Sequence, residues 1–405
     1  MAQLNEIVFI RNTSGLGAPL QSKDHVSGLI VYGVDPSVSG HGSVQKFFSL
    51  QDAEDLGLTR EDINTAVVWY HVREFFEKNS RGELFLLMVE DGSDANAPDM
   101  SEIQTVQNFA NGEIRQFGLL FNNPINEGTN ASTFIGVAQS VVNQLQEVHT
   151  PANVILGFKS YDTTLPLSAL PDLTTLDAPN VSLTIGQDAG NIGKSIVDLL
   201  PNPSADVIAS ITDLGAKLGA ISFANVNESI AWIEEFPMVT DGREFDEIAF
   251  VDGSLYRDTS SNEIRSIDSR GYLFLLKQIG IQGTYNNDSY TAVSPSNDLS
   301  TIENGRTIDK AVRVVRARLL PKLAAPILVN ADGTLTQDTI AVFGNLARRG
   351  LDQMQSDNEI SASAVIINPS QDILTEGRFE ISLEIVPVGV ARSIIVNIGF
   401  VPQIN

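Results

Sequence analysis

Apolar positions along this chain follow two rhythms that take turns. Short apolar runs at Gly28–Val34, Glu83–Val89, Gln116–Phe121, Ala152–Phe158, Ser182–Gly186 and Glu247–Asp252 predict strands. Between them lie stretches with a period near 3.6, which predict helices at Ser49–Leu58, Asn64–Lys78, Ser101–Ala110, Thr133–Val148, Ala205–Gly215 and Val226–Glu235. Ser49 is placed to cap the first of these, and Thr59 with Asp62 approximates a capping box for the second, whose apolar face is Val67, Val68, Val72, Phe75 and Phe76. Strand and helix alternate from Ser101 onward, and that order predicts a mainly parallel sheet with crossover helices, a mixed α/β class.

The last hundred residues read differently. Asn304–Leu323 places Ile308, Val312, Val315, Leu319 and Leu323 on one helical face and Arg306, Lys310, Arg313 and Arg316 opposite. Asp309 is expected in its first turn, and Pro321 should end it. Thr336–Arg349 predicts a second helix that stops at Gly350, with Arg348 and Arg349 at its end. Three strands are then expected at Ala362–Asn368, Gly377–Pro387 and Ala391–Phe400. Alternation is clean in the second (Phe379, Ile381, Leu383, Ile385) and the third (Ile394, Val396, Ile398, Phe400). At the other end Leu4–Ile10, with Leu4, Ile7 and Phe9, reads as a strand set apart by a Gly/Ser/Pro stretch. A strand with no local partner must pair far along the chain or with another molecule.

These breaks suggest an N-terminal arm at 1–20, a first unit at 21–98, an alternating middle unit at 99–293, a C-terminal unit at 294–390 and a terminal arm at 391–405. Asp91–Asp99, acidic and rich in turn formers, is the clearest boundary signal.

Composition narrows the function. The net charge is −24, and Thr301–Asn405 carries ten Lys/Arg against eleven Asp/Glu, so −23 falls in the first 300 residues. Such acidity argues against nucleic acid as a partner. Cysteine is absent, which removes disulfides and thiolate metal sites. No run is long and apolar enough for a membrane span, and MAQLNEIVFIRN lacks a basic n-region, so neither a membrane insertion nor a signal peptide is expected.

The chemistry-bearing motifs are weak. Gly186–Ser195, GQDAGNIGKS, follows a strand and ends Gly-Lys-Ser as a phosphate-binding loop would, with Lys194 as the phosphate ligand. Asp188 stands where that pattern wants glycine, and a carboxylate there would repel phosphate. The four histidines, His25, His41, His71 and His149, have no metal-ligand spacing. No Gly-x-Ser-x-Gly elbow is present. The expectation is a protein with no catalytic, cofactor or metal site; a nucleotide-binding α/β enzyme built on the 186–195 loop is the alternative.

One resemblance gathers these features. Asn304-Gly305-Arg306-Thr307-Ile308-Asp309, the basic helix after it, Asn330, Thr334–Thr336, Gly350, Gly377 and Pro387 together resemble the C-terminal domain of tail sheath proteins of contractile-tailed phages and contractile injection systems. YHVREFFEKNSRGELFLLMVE at 70–90 looks like the helix–Gly–strand unit of that family, and GAISFANVNESIAWIEE at 219–235 like a segment of some of its subfamilies. The resemblance implies a multi-domain sheath-like fold and a structural subunit. It implies stacked six-subunit rings around an inner tube protein, contracting to drive the tube through an envelope, with baseplate and terminator proteins at the ends. It implies a place in a virion tail or injection particle, assembled in a bacterial cytoplasm. It further implies terminal strands exchanged between neighbours, here Leu4–Ile10 and Ile394–Phe400. A basic helix against the tube is also implied, with Arg306, Lys310, Arg313, Arg316, Arg348 and Arg349 as its residues. A shell or surface-lattice protein using the same strand exchange is a further alternative.

Overall fold

Seven consecutive buried residues, Val26–Tyr32, form strand β1, and burial on both faces is what a central strand of a parallel sheet requires. The structure, a computed structural model, describes residues 23–90, 99–121, 130–159, 166–199, 210–239, 245–396 and 398–400. After β1 come β2 (Gln45–Phe47), helices α1 (Leu50–Asp55) and α2 (Ala66–Lys78), and β3 (Glu83–Val89). Then follow α3 (Glu102–Phe109), β4 (Gln116–Phe121), α4 (Asn130–Glu147), β5 (Asn153–Phe158) and β6 (Val181–Thr184). The six strands make one sheet in the order β2-β3-β1-β4-β5-β6, parallel except where β2 meets β3. The expected parallel α/β architecture is therefore present.

Because β1 lies between β3 and β4, the expected boundary at residue 98 does not separate two sheets. The units 21–98 and 99–293 share one core. On one face Ile30, Phe117, Leu119 and Leu156 pack against Ile103 and Val106 of α3 and Ile135 and Val142 of α4. On the other, Leu29, Val31, Leu86 and Ile155 pack against α2 and a further helix, α6.

That further helix was not expected. Beyond β6 the chain forms β7 (Gly186–Asp188), α5 (Asn191–Val197), β8 (Ile211–Thr212) and α6 (Leu214–Phe223), then β9 (Ile248–Phe250), α7 (Ser261–Ser269), β10 (Leu275–Leu276) and β11 (Tyr285–Asn286). The predicted helix 205–215 is in part β8, its first residues lying outside those described, and the predicted helix 226–235 is a series of turns. Helix α6 is buried on every side from Leu214 to Ser222, so it has no polar face and no helical periodicity to read. Glycine admits it: a Cβ on Gly215 would meet the His71 carbonyl oxygen at 2.5 Å, and one on Gly219 the Phe75 carbonyl oxygen at 2.6 Å, both on α2.

The last unit holds α8 (Ile302–Leu319), α9 (Gln337–Ser356), β12 (Ile360–Ile366), α10 (Ile373–Glu376) and β13 (Ser382–Pro387). Pro321 follows the end of α8 within a 3-10 turn, as expected. Gly350 does not stop α9; the helix runs through it, and glycine serves there for packing, since a side chain would press on the Val314 backbone at 3.3 Å. β12 and β13 pair as an antiparallel hairpin over a separate small core of Ala311, Val315, Ala347, Leu351 and Met354. The strand predicted at Ala391–Phe400 is not formed among the described residues of that stretch.

Candidate assembly surfaces

The loop that resembles a phosphate cradle is already occupied by its own side chain. Asp188, buried at the end of β7, accepts from the N–H of Gly190 at 2.9 Å and of Gly193 at 3.0 Å. The Tyr70 hydroxyl donates to the same carboxylate at 3.0 Å. These amides at the start of α5 are the donors a phosphate would use. Burial pushes the Asp188 carboxyl up to about 6 against the pull of those hydrogen bonds. Lys194 points elsewhere and pairs with Asp198 at 2.9 Å. A side chain at Gly193 would sit 2.5 Å from the Asp188 carbonyl oxygen, so the loop is tight as well as filled.

His71, Asp213 and Lys217 are likewise engaged by buried partners. His71 is buried and accepts the Gly215 N–H at Nδ1, 3.2 Å away; burial holds it neutral, pushing it down to about 3. Asp213, just before α6, and Lys217 in it form a wholly buried ion pair, and the Thr184 hydroxyl donates to Asp213 at 2.7 Å. Among the described residues no group of three or more His, Asp or Glu could hold a metal ion.

The first half of helix α8 sits the other way round from its amphipathic reading, while Val315 and Leu319 pack into the small C-terminal core as that reading has it. Arg306 is buried and donates to the carbonyls of Ala224 at 3.1 Å and Asn225 at 3.2 Å. Those carbonyls end α6, where a cation complements unsatisfied oxygens. Lys310 is buried between Asp24, at 2.7 Å, and Glu359. Arg313 reaches Asp24 at 2.7 Å. Asp309 is not in the first turn; it lies mid-helix and buried, where burial raises it to about 6 and Arg313 and Arg115 oppose the rise. By contrast Ile308 and Val312, expected in the core, are 41% and 46% exposed. The reason is position: α8 bridges the large sheet and the C-terminal hairpin, and each side of that junction presents acidic or carbonyl groups that need a cation.

Of the six basic residues read from sequence, Arg306, Lys310 and Arg313 therefore make ion pairs or hydrogen bonds within the chain. Arg316, Arg348 and Arg349 are exposed, and Arg348 bonds Asn345 on its own helix. Where α8 and α9 touch at Val314 and Gly350, these three lie within a turn or two of the contact. Beside them an apolar groove of about 860 Å³ opens between α8 and the hairpin, lined by Val312, Leu319, Leu323, Phe343, Ile381 and Leu383. Leu4, Ile7 and Phe9 lie outside the described residues. Ile394, Val396, Ile398 and Phe400 are all strongly exposed and belong to no strand.

Residues 4–290 match the DUF2586 N-terminal domain, and residues 298–405 match the DUF2586 C-terminal domain. The chain belongs to the DUF2586 family. No curated protein matches it. Among solved structures, a chain of the anti-feeding prophage baseplate is similar at 13% identity and a TM-score of 0.61, with 98% of this chain and 99% of that one covered. The contracted PVC sheath complex of an extracellular contractile injection system is similar at 12% identity, TM-score 0.60 and 98% coverage of each chain. A sheath tail protein from Desulfitobacterium hafniense gives 10% identity and a TM-score of 0.50, covering 95% of this chain and all of that one. This DUF2586 protein thus has the fold of contractile sheath proteins over nearly its whole length.

Proposed function

We propose that this DUF2586 protein is the structural subunit of a contractile sheath, stacking as six-subunit rings around an inner tube and shortening to drive the tube through a target envelope. The observation that carries the reading is the end-to-end similarity to a chain of a contracted sheath complex, 98% of this chain, and not to a shared domain alone. The self-filled 186–195 loop speaks against the nucleotide-binding alternative. The role is mechanical and not catalytic. The partners are further copies of the chain, a tube protein, and baseplate and terminator proteins, in a phage tail or a related injection particle assembled in a bacterial cytoplasm.

Two surfaces serve the two contacts. The exposed apolar segment Ile394–Phe400, and Leu4–Ile10 at the other end, add as strands to neighbouring subunits through backbone hydrogen bonds. Each such bond contributes about 0.5–1.5 kcal/mol net, enough in series to keep subunits linked while they rotate. Arg316, Arg348 and Arg349 face the tube, where exposed ion pairs worth roughly 0–1 kcal/mol each hold the extended state and can be re-solvated on contraction. Negative-stain microscopy of the purified protein tests the reading. Rings or hollow cylinders forming without nucleotide are expected; a chain that stays monomeric at every concentration would sink it. A shell or lattice protein would also polymerise, and co-assembly with a tube protein separates the two.

A further inference from the structure

Two carboxylates are buried side by side where the alternating body meets α8. Asp288 follows β11, and Glu303 stands in the first turn of α8. Ser289 links them: its N–H donates to Asp288 Oδ1 at 2.8 Å and its hydroxyl donates to Glu303 Oε2 at 2.5 Å. The Ser229 hydroxyl lies 3.2 Å from that of Ser289. Among the described residues, the cation that hydrogen-bonds this pair comes from far along the chain. Arg392 Nε donates to the two Asp288 oxygens at 3.0 and 2.9 Å, and its Nη2 reaches Glu303.

Arg392 is placed at a mechanical root. Pro387 ends β13, and from there Val388–Arg392 runs without strand pairing along a cleft of about 590 Å³ whose opposite wall includes Trp232 and Ile233. Immediately beyond, Ile394, Ile395 and Val396 are exposed. A guanidinium is a rigid planar fork, and one that spans two fixed carboxylates fixes the direction of the backbone that carries it. A lysine ammonium would neutralise the charge without that constraint.

We propose that Asp288, Glu303 and Ser289 form a guanidinium-binding socket whose occupant, Arg392, holds the root of the C-terminal segment and so sets the direction in which Ile394–Phe400 leaves the subunit. The consequence for polymerisation rests on the sheath reading; the socket itself does not.

Trp232 reports on the contact, since the only other tryptophan, Trp69, is buried and bonded to Glu54 at 3.0 Å. Acrylamide quenching of the dilute, full-length protein is measured for wild type, Arg392→Gly, Arg392→Lys and a Trp232→Phe control. Arg392→Gly should quench more strongly, Arg392→Lys should fall between, and millimolar methylguanidinium should restore protection to Arg392→Gly alone. The concentration at which polymers form should rise about tenfold in Arg392→Gly, the effect of roughly 1.4 kcal/mol. If circular dichroism shows Arg392→Gly unfolded, the charge-free triple Asp288→Asn, Glu303→Gln, Arg392→Gln carries the same comparison. Quenching and assembly equal to wild type in the folded variants would overturn the proposal, as would restoration by methylammonium as good as by methylguanidinium. Wild-type protein that forms no polymer would count against the sheath reading, and the quenching series would still decide the socket.

Discussion

Asp188 shows how one residue can invert the meaning of a motif. The terminal Gly-Lys-Ser is present and the motif's first glycine is replaced by Asp188, whose carboxylate takes the amide donors itself, so a bound phosphate would have to displace it from a buried site. The carboxylate was visible in the sequence; that it folds inward onto Gly190 and Gly193 was not. Asp309 illustrates the converse, a charge that looked like a helix cap and is a buried mid-helix acid. Its folded-state value of about 6 lies above the ordinary 3.8, so the folded protein binds the proton more tightly than the unfolded chain. Stability from this group is therefore greatest at and below about pH 4 and is lost as pH rises through about 6, at up to roughly 1.4 kcal/mol per unit. Asp309→Asn removes that loss. Urea unfolding of dilute protein should shift in favour of the variant by about 2 kcal/mol between pH 4 and pH 7; a pH-independent difference would contradict the assignment.

At the scale of elements, the strands of the large sheet and the helices with one apolar face were legible, because one rhythm and one buried side go together. β3 and β4 fall where the pattern places them. Helix α6 was not legible, since burial on all sides erases the rhythm that marks a helix. Its signature is instead the glycine pair Gly215 and Gly219, four residues apart, which lets its backbone approach α2. Gly219→Ala should destabilise the fold by about 1–3 kcal/mol through overpacking against the Phe75 backbone. Gly136→Ala, on an exposed turn of α4 with nothing within 4 Å, should stabilise it by about 0.5–1 kcal/mol. Thermal unfolding of the two variants checks both signs. The capping box also moved by one helix: Ser49 and Asp52 form it on α1, while Thr65 precedes α2 without a side-chain cap.

For the whole molecule the charge asymmetry acquires a division of labour. The C-terminal unit is nearly neutral partly because its inward cations, Arg306, Lys310 and Arg313, tie it to the acidic body. The outward ones, Arg316, Arg348 and Arg349, are exposed. Reversing Arg316, Arg348 and Arg349 to glutamate should leave the monomer folded and polymerisation through the arms intact, while assembly around a tube protein falls at least tenfold, about 1.4 kcal/mol or more. Arg306→Ala should do the opposite, unfolding the α6–α8 junction by exposing buried carbonyls with no donor. Co-sedimentation with a tube protein, alongside circular dichroism, reads both. Normal tube assembly by the triple reversal would remove the basic face as a tube contact.

What the sequence by itself determined was the set of elements whose pattern carries its own environment: the parallel strands and the singly amphipathic helices. Tertiary structure alone decided which side of the first half of α8 faces inward. An apolar stripe turns to the core only if nothing else at the junction needs the other side more. Here Asp24, Glu359 and the carbonyls ending α6 do, because a buried carboxylate or carbonyl left without a donor costs more than leaving Ile308 and Val312 partly in water.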